Sequence, residues 1–146
     1  MTGKEVIHIL NDLITINKNR ITGYKEIMHE LKEEKAIAHC REMIRQSEKN
    51  NGELAELVRD DGGEIEDKTT TAGIIYNTWM DIVYSDEKES REDIYNFCRQ
   101  MEKTTAKGYE AAIQAMGPGY KKEYDLVARQ KNELDHSLRG LKERLE

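Results

Sequence analysis

Residues 2–33 read TGKEVIHILNDLITINKNRITGYKEIMHELKE, and the spacing of their apolar side chains decides the fold. Val6, Leu10, Leu13, Asn17, Ile21, Tyr24, Met28 and Leu31 recur at steps of three and four. That is one face of an α-helix. Thr2 and Glu5 stand at capping-box spacing, so each side chain can satisfy an orphan amide of the first turn. The stretch therefore predicts one long helix from Thr2 to about Glu33.

The same period continues along the chain. A second helix is expected from about Lys35 to Arg59, with Ala36, Cys40, Met43, Ile44, Ser47, Asn51, Leu54 and Val58 on its stripe. Neither Gly nor Pro marks the turn before it. Asp60-Asp61-Gly62-Gly63 stops it, with glycine in the stop position. Thr69 to Tyr84 predicts a shorter crossover helix carrying Ala72, Ile75, Trp79 and Ile82 on one side. A charged turn follows, from Ser85 to Ser90. A further long helix is expected from about Glu92 to Met116, on Ile94, Cys98, Met101, Thr105, Gly108, Ala112 and Met116. Gly117-Pro118-Gly119 ends it. The last helix is expected to run from Tyr120 to the C-terminus, on Tyr124, Val127, Gln130, Leu134, Leu138, Leu141 and Leu145.

Gly23-Tyr24 and Gly108-Tyr109 form a faint internal repeat, whose offset places Asn17 on Glu102. A mid-helix glycine costs about 1 kcal/mol against alanine, so both positions suggest close helix approach. The expected architecture is all-α: a four-helix bundle of two antiparallel hairpins with a short crossover helix, in a single domain spanning 1–146.

Composition agrees with that architecture. The 146 residues contain one Pro and are 36% charged and 37% hydrophobic, which suits helices that each bury one stripe. Basic and acidic side chains, 23 and 29 of them, are interleaved along the chain. Interleaving of this kind argues against a nucleic-acid or anionic-membrane partner. No run has the apolar length of a membrane span, and Met1 to Glu5 is polar, so a cytoplasmic protein is expected. Cys40 and Cys98 lie on apolar stripes and read as buried structural thiols. Trp79, the sole tryptophan, reads with Tyr24 and Tyr109 as a packing anchor or a contact for a partner.

Leu10-Asn11-Asp12-Leu13-Ile14, Gly23-Tyr24, Trp79-Met80-Asp81, Cys98 with Glu102 and Tyr109, and Gln130 together resemble a family of small bacterial four-helix-bundle proteins. That family is ferritin-like in fold and of unknown function. The resemblance covers nearly the whole chain and implies the bundle topology, not an activity. It also leads one to expect acidic residues near Thr15, Asn19 and Arg99, and this chain departs from it at all three.

A ferritin-like fold raises the question of a di-iron centre. Such a centre needs a carboxylate from each of two helices and a Glu-x-x-His pair from each of the other two. The polar residues aimed at the core are instead Asn17, Ser47, Asn51, Glu102 and Gln130. One carboxylate and four neutral groups cannot neutralise two iron ions. Glu26-Ile27-Met28-His29 and Glu133-Leu134-Asp135-His136 match the string, but at about 100° per residue both pairs fall off their stripes. His8 and His39 read as surface or boundary histidines. No phosphate loop, nucleophile elbow or zinc spacing is present.

The reading is therefore a non-enzymatic bundle without cofactor, acting through association with a second copy or another protein. Its expected core is a polar network centred on Glu102, with Asn17, Ser47, Gln130 and the tyrosines as uncharged donors. One alternative is a metal-binding or redox protein with Glu102 as surviving ligand. Another is a carrier of a small ligand among Met28, Met43, Met101 and Met116.

Overall fold

A computed structural model describes residues 1–66 and 91–146. The expected crossover helix, the charged turn and Trp79 lie outside the described residues. Among those described, the helices are α1 (Gly3–Met28), α2 (Glu34–Asp60), α3 (Arg91–Ala115), α4 (Lys121–Arg139) and the single turn-and-a-half α5 (Leu141–Leu145). None of them is long and apolar enough to cross a membrane.

The capping box opens α1 as expected. Thr2 Oγ1 accepts from the Glu5 amide at 3.2 Å, and Glu5 Oε2 accepts from the Thr2 amide at 3.0 Å. The helix ends at Met28, five residues before the expected Glu33. The amides of Glu30 and Leu31 bond three residues back, to Ile27 and Met28, which tightens the chain into a turn. Leu31 is thereby swung into the core beside Ala36. No glycine is needed for this exit, because the cap residue His29 stays right-handed, at φ of −68°.

The stop after α2 does need one. Gly62 has φ of +82°, and the Gly63 amide reaches back to the Val58 carbonyl at 2.9 Å, while Gly62 bonds Arg59 at 3.0 Å. That is a Schellman closure, whose left-handed residue strains any side chain. Asn11 on α1 then captures the departing chain. Its Nδ2 donates to the Glu64 carbonyl at 2.9 Å and its Oδ1 accepts from the Glu66 amide at 3.0 Å.

The last helix is broken where the sequence reading made it continuous. Gly140 separates α4 from α5, and α5 turns Leu141 and Leu145 into the core. Tyr124, expected on the inner stripe, is 40% exposed, and its neighbour Glu123 is buried instead.

α1 packs on α2 and α3 on α4, as two hairpins, and α1 also lies against α3. At the crossing of α1 and α3, a Cβ on Gly108 would stand 2.3 Å from Ile16 Cδ1, so Gly108 marks a close approach of the two helices. The core divides into two apolar halves. One gathers Tyr24, Ile27, Cys40, Phe97, Cys98 and Leu141 around the end of α1. The other gathers Val6, Leu10, Leu13, Leu54, Tyr109 and Val127 around its start. Between the halves lies a layer of buried polar side chains: Asn17, Arg20, Ser47, Asn50, Glu102, Thr105 and Gln130.

Candidate functional site

The polar layer is built from one or two turns of each long helix. Its centre is Arg20, whose side chain is 0% exposed, facing Glu102 at 1%. Leu13, Asn17, Arg20 and Tyr24 step by four, three and four along α1, so all four point the same way.

The guanidinium grips the carboxylate at two points. Nε donates to Glu102 Oε2 at 2.9 Å and Nη2 to Oε1 at 2.6 Å. Nη1 donates to Ser47 Oγ at 2.9 Å, and Nη2 also lies 2.9 Å from Met43 Sδ. Every nitrogen thus has an acceptor, and the two formal charges cancel. Such a fork-to-fork pair combines two charge-assisted hydrogen bonds with a fixed mutual geometry. Burial lowers the Arg20 pKa, but the charge and hydrogen bonds of Glu102 outweigh that and hold it above its ordinary value.

From Arg20 the bonds run across the bundle. Ser47 Oγ donates to Asn17 Oδ1 at 2.8 Å, and Asn17 Nδ2 reaches the Tyr109 hydroxyl at 2.8 Å and the Leu13 carbonyl at 3.0 Å. Tyr109 donates to Gln130 Oε1 at 2.6 Å, and Gln130 Nε2 donates to the Asn50 carbonyl at 3.2 Å and to Glu53 Oε1 at 3.3 Å. Burial, above all, raises the Tyr109 pKa, so its hydroxyl keeps the proton it donates.

Of the residues the sequence singled out, Asn17, Ser47, Glu102, Tyr109 and Gln130 therefore share one connected network. Asn51 stands apart, half-buried, and donates to the Ile14 carbonyl at 3.2 Å. Tyr24 is fully buried one turn from Arg20, whose Cζ lies 5.9 Å from the ring centroid. The correction concerns what holds Glu102. Its partner is a cation, not the uncharged donors expected, and sequence reasoning missed Arg20 altogether. The signal was present: the expected stripe stepped from Asn17 to Ile21, which is only partly buried, when a step of three reaches Arg20.

Tyr109→Phe is expected to destabilise the fold by about 1–3 kcal/mol, because Gln130 Oε1 and Asn17 Nδ2 would each lose a buried partner. Urea melts check this; a variant as stable as the parent would mean that the network contributes nothing at Tyr109.

His39 is a second correction. It is 2% exposed, not a surface or boundary residue. Arg144 Nε on α5 faces its Nδ1 at 3.4 Å, and the Tyr24 hydroxyl lies 3.3 Å from its Nε2. With Nδ1 accepting, the ring proton belongs on Nε2. Burial first, then the charges of Arg144 and Arg20, lower its pKa to about 3. The two thiols, free and buried, are equally inert: burial pushes Cys40 up to about 12 and raises Cys98 as well.

Among the described residues, no three of His, Cys, Asp and Glu come together to hold a metal ion. Glu26, His29 and His136 are not buried in the layer, and Glu133 is half-buried. Chemically, the layer can hold helices in register; its fully buried carboxylate, Glu102, is already engaged by Arg20.

Residues 5–115 match the sequence pattern of a family described as a domain of unknown function, DUF2383. No curated protein matches the chain. Among solved structures, the chain is similar to a ferritin-like, diiron-carboxylate protein from Bacillus anthracis str. Ames. The TM-score is 0.73, all of both chains is covered, and the identity is 18%. At that identity the likeness shows the fold, a ferritin-like helical bundle.

Proposed function

This chain belongs to the DUF2383 family, and from that premise we propose that it is a non-enzymatic, single-domain ferritin-like bundle with no working di-iron centre, acting through association with a second copy or another protein. The observation that carries the reading is the buried Arg20–Glu102 pair. A di-iron centre of this fold draws carboxylates from all four helices. In the polar layer here, α1 supplies an amide and a guanidinium, α2 a hydroxyl and an amide, and α4 an amide. Among the described residues of the layer, only α3 supplies a fully buried carboxylate, beside the half-buried Glu53 of α2 at its edge, and a fixed positive charge already neutralises it. A second cation beside a guanidinium is repelled, so this donor set does not fit two iron ions. A groove between α1 and α3, lined by Ile9, Ile16, Gly108, Ala111 and Ala115 with Asp12 and Thr15 among them, supports association.

A metal or redox role is the second reading, favoured by the likeness to a diiron-carboxylate protein. Elemental analysis of purified protein, before and after anaerobic addition of ferrous iron, separates the two. The expected result is no stoichiometric iron, manganese or zinc and an unchanged melting temperature. One or two metal ions per chain, lost in Glu102→Ala, would overturn the proposal. A working site would also be stabilised by mass action, by about 2.7 kcal/mol at one hundred times its dissociation constant.

A further inference from the structure

We propose that the Arg20 guanidinium is the resident cation of the bundle: the polar layer is a cation site whose occupant is covalently part of α1. This rests on the reading that no iron pair is held, and goes beyond it by saying what carries the positive charge instead.

The layer has the form of a ligand shell. Two helices, α1 and α3, face each other through Arg20 and Glu102, while α2 presents Ser47 and Asn50 three residues apart and α4 presents Gln130. Each of the four long helices thus turns at least one polar group inward at the same level, as in a ligand-binding bundle core. The groups in it, though, are chosen for a planar organic cation. Ser47 Oγ, Met43 Sδ and both Glu102 oxygens surround the guanidinium with acceptors, at 2.6 to 2.9 Å. The Tyr24 ring adds its π face at 5.9 Å. Acceptors from α2 and α3 and a ring from α1 itself thus converge on one group that never reaches solvent. An arginine placed merely to fill space would leave its head at the surface, as long cationic side chains ordinarily do.

If the site is built for a cation rather than for arginine's stem, it should recognise a free one. Arg20→Ala removes the guanidinium and most of its stem, leaving Glu102, Ser47 and Met43 around the gap. Thermal melts of this variant, followed by circular dichroism, are run with millimolar guanidinium or methylguanidinium and with urea at the same concentrations. Urea has the same shape and no charge. The expected result is a low melting temperature that rises saturably with either guanidinium, no rise with urea, and no response of the parent to either. Binding to the folded state alone would produce such a rise. Arg20→Ala/Glu102→Ala, which lacks the anion, should gain nothing.

Should Arg20→Ala be unfolded in buffer, the additions are made during refolding from denaturant, and recovery of helical signal with guanidinium alone is the supporting result. No rise and no recovery, an equal effect of urea, or an equal effect on the double variant would each overturn the inference. Stoichiometric metal in the parent would instead overturn the reading it rests on. A metal-free parent with no rescue of Arg20→Ala would sink this inference and leave that reading standing.

Discussion

Arg20→Met is expected to destabilise the protein by about 3–5 kcal/mol, the cost of leaving a buried charge without its partner. Glu102 is fully buried and takes both of its close charged contacts from this one side chain. Methionine keeps much of the volume, so lost packing contributes little, and what changes is charge. Glu102→Met should cost a similar amount for the mirror-image reason. The double variant Arg20→Met/Glu102→Met should then recover most of the loss, because no uncompensated charge is left and two flexible apolar chains can fill the space. Ser47, still bonded to Asn17, would not be orphaned. Urea melts of the four proteins at neutral pH form a double-mutant cycle that isolates the pair. Strictly additive losses would mean that each side chain acts alone. A domain of this size has about 5–15 kcal/mol in total, so either single change consumes a large part of the margin.

The same pair shows where sequence reading works and where it stops. The long helices and the glycine closure after α2 were legible because they rest on local signals: period, caps and stops. Asn17, Ser47 and Gln130 were legible too, as polar residues at the centre of apolar stripes, but Asn50 was not: the expected stripe took its neighbour Asn51, which is only half-buried. Arg20 was not, because arginine is rarely buried and period alone does not say which of two adjacent steps the packing selects. The stripe that forms is Leu13, Asn17, Arg20, Tyr24 and Ile27, and it excludes Ile21 from full burial. Placing Glu102 inside the bundle calls for a cation at the same level on a facing helix, and Arg20 lies one turn from Asn17, the repeat mate of Glu102.

His39 failed for a non-local reason. Its burial depends on α5 folding back at Gly140 so that Arg144, which also donates to the Ser137 carbonyl, covers the ring. A sequence that reads as one continuous last helix carries Arg144 away from α2, and the histidine then looks peripheral. Tyr124 and Glu123 exchanged places through a shift of a single residue at the start of α4, where the Gly117 to Gly119 turn sets the helix phase. Residue-level phase, unlike helix existence, is decided by tertiary packing.

Acidification should destabilise the fold through His39. In the unfolded chain the ring takes up a proton near its ordinary pKa of about 6.5. In the fold it resists protonation until about 3, because it is buried and faces Arg144 and Arg20. Between those values the unfolded state binds more protons, so stability rises with pH there. The contribution is complete above about 6.5 and is lost progressively as pH falls toward 3. At pH 5 the loss attributable to this ring is about 2 kcal/mol. Protonation would also turn Nδ1 from an acceptor into a donor, setting it against Arg144 Nε and loosening the α5 turn that buries Leu141 and Leu145. The measurement is the stability difference between the parent and His39→Gln, by urea melts at about pH 7.5 and about pH 5. Glutamine offers an acceptor to Arg144 and does not titrate. The other histidines, His8, His29 and His136, are common to both proteins and cancel in the comparison. The parent should lose about 2 kcal/mol more than the variant on going to pH 5. Equal losses would mean that the ring is already solvated in the fold, and that α5 does not close over it as the Arg144 contact implies.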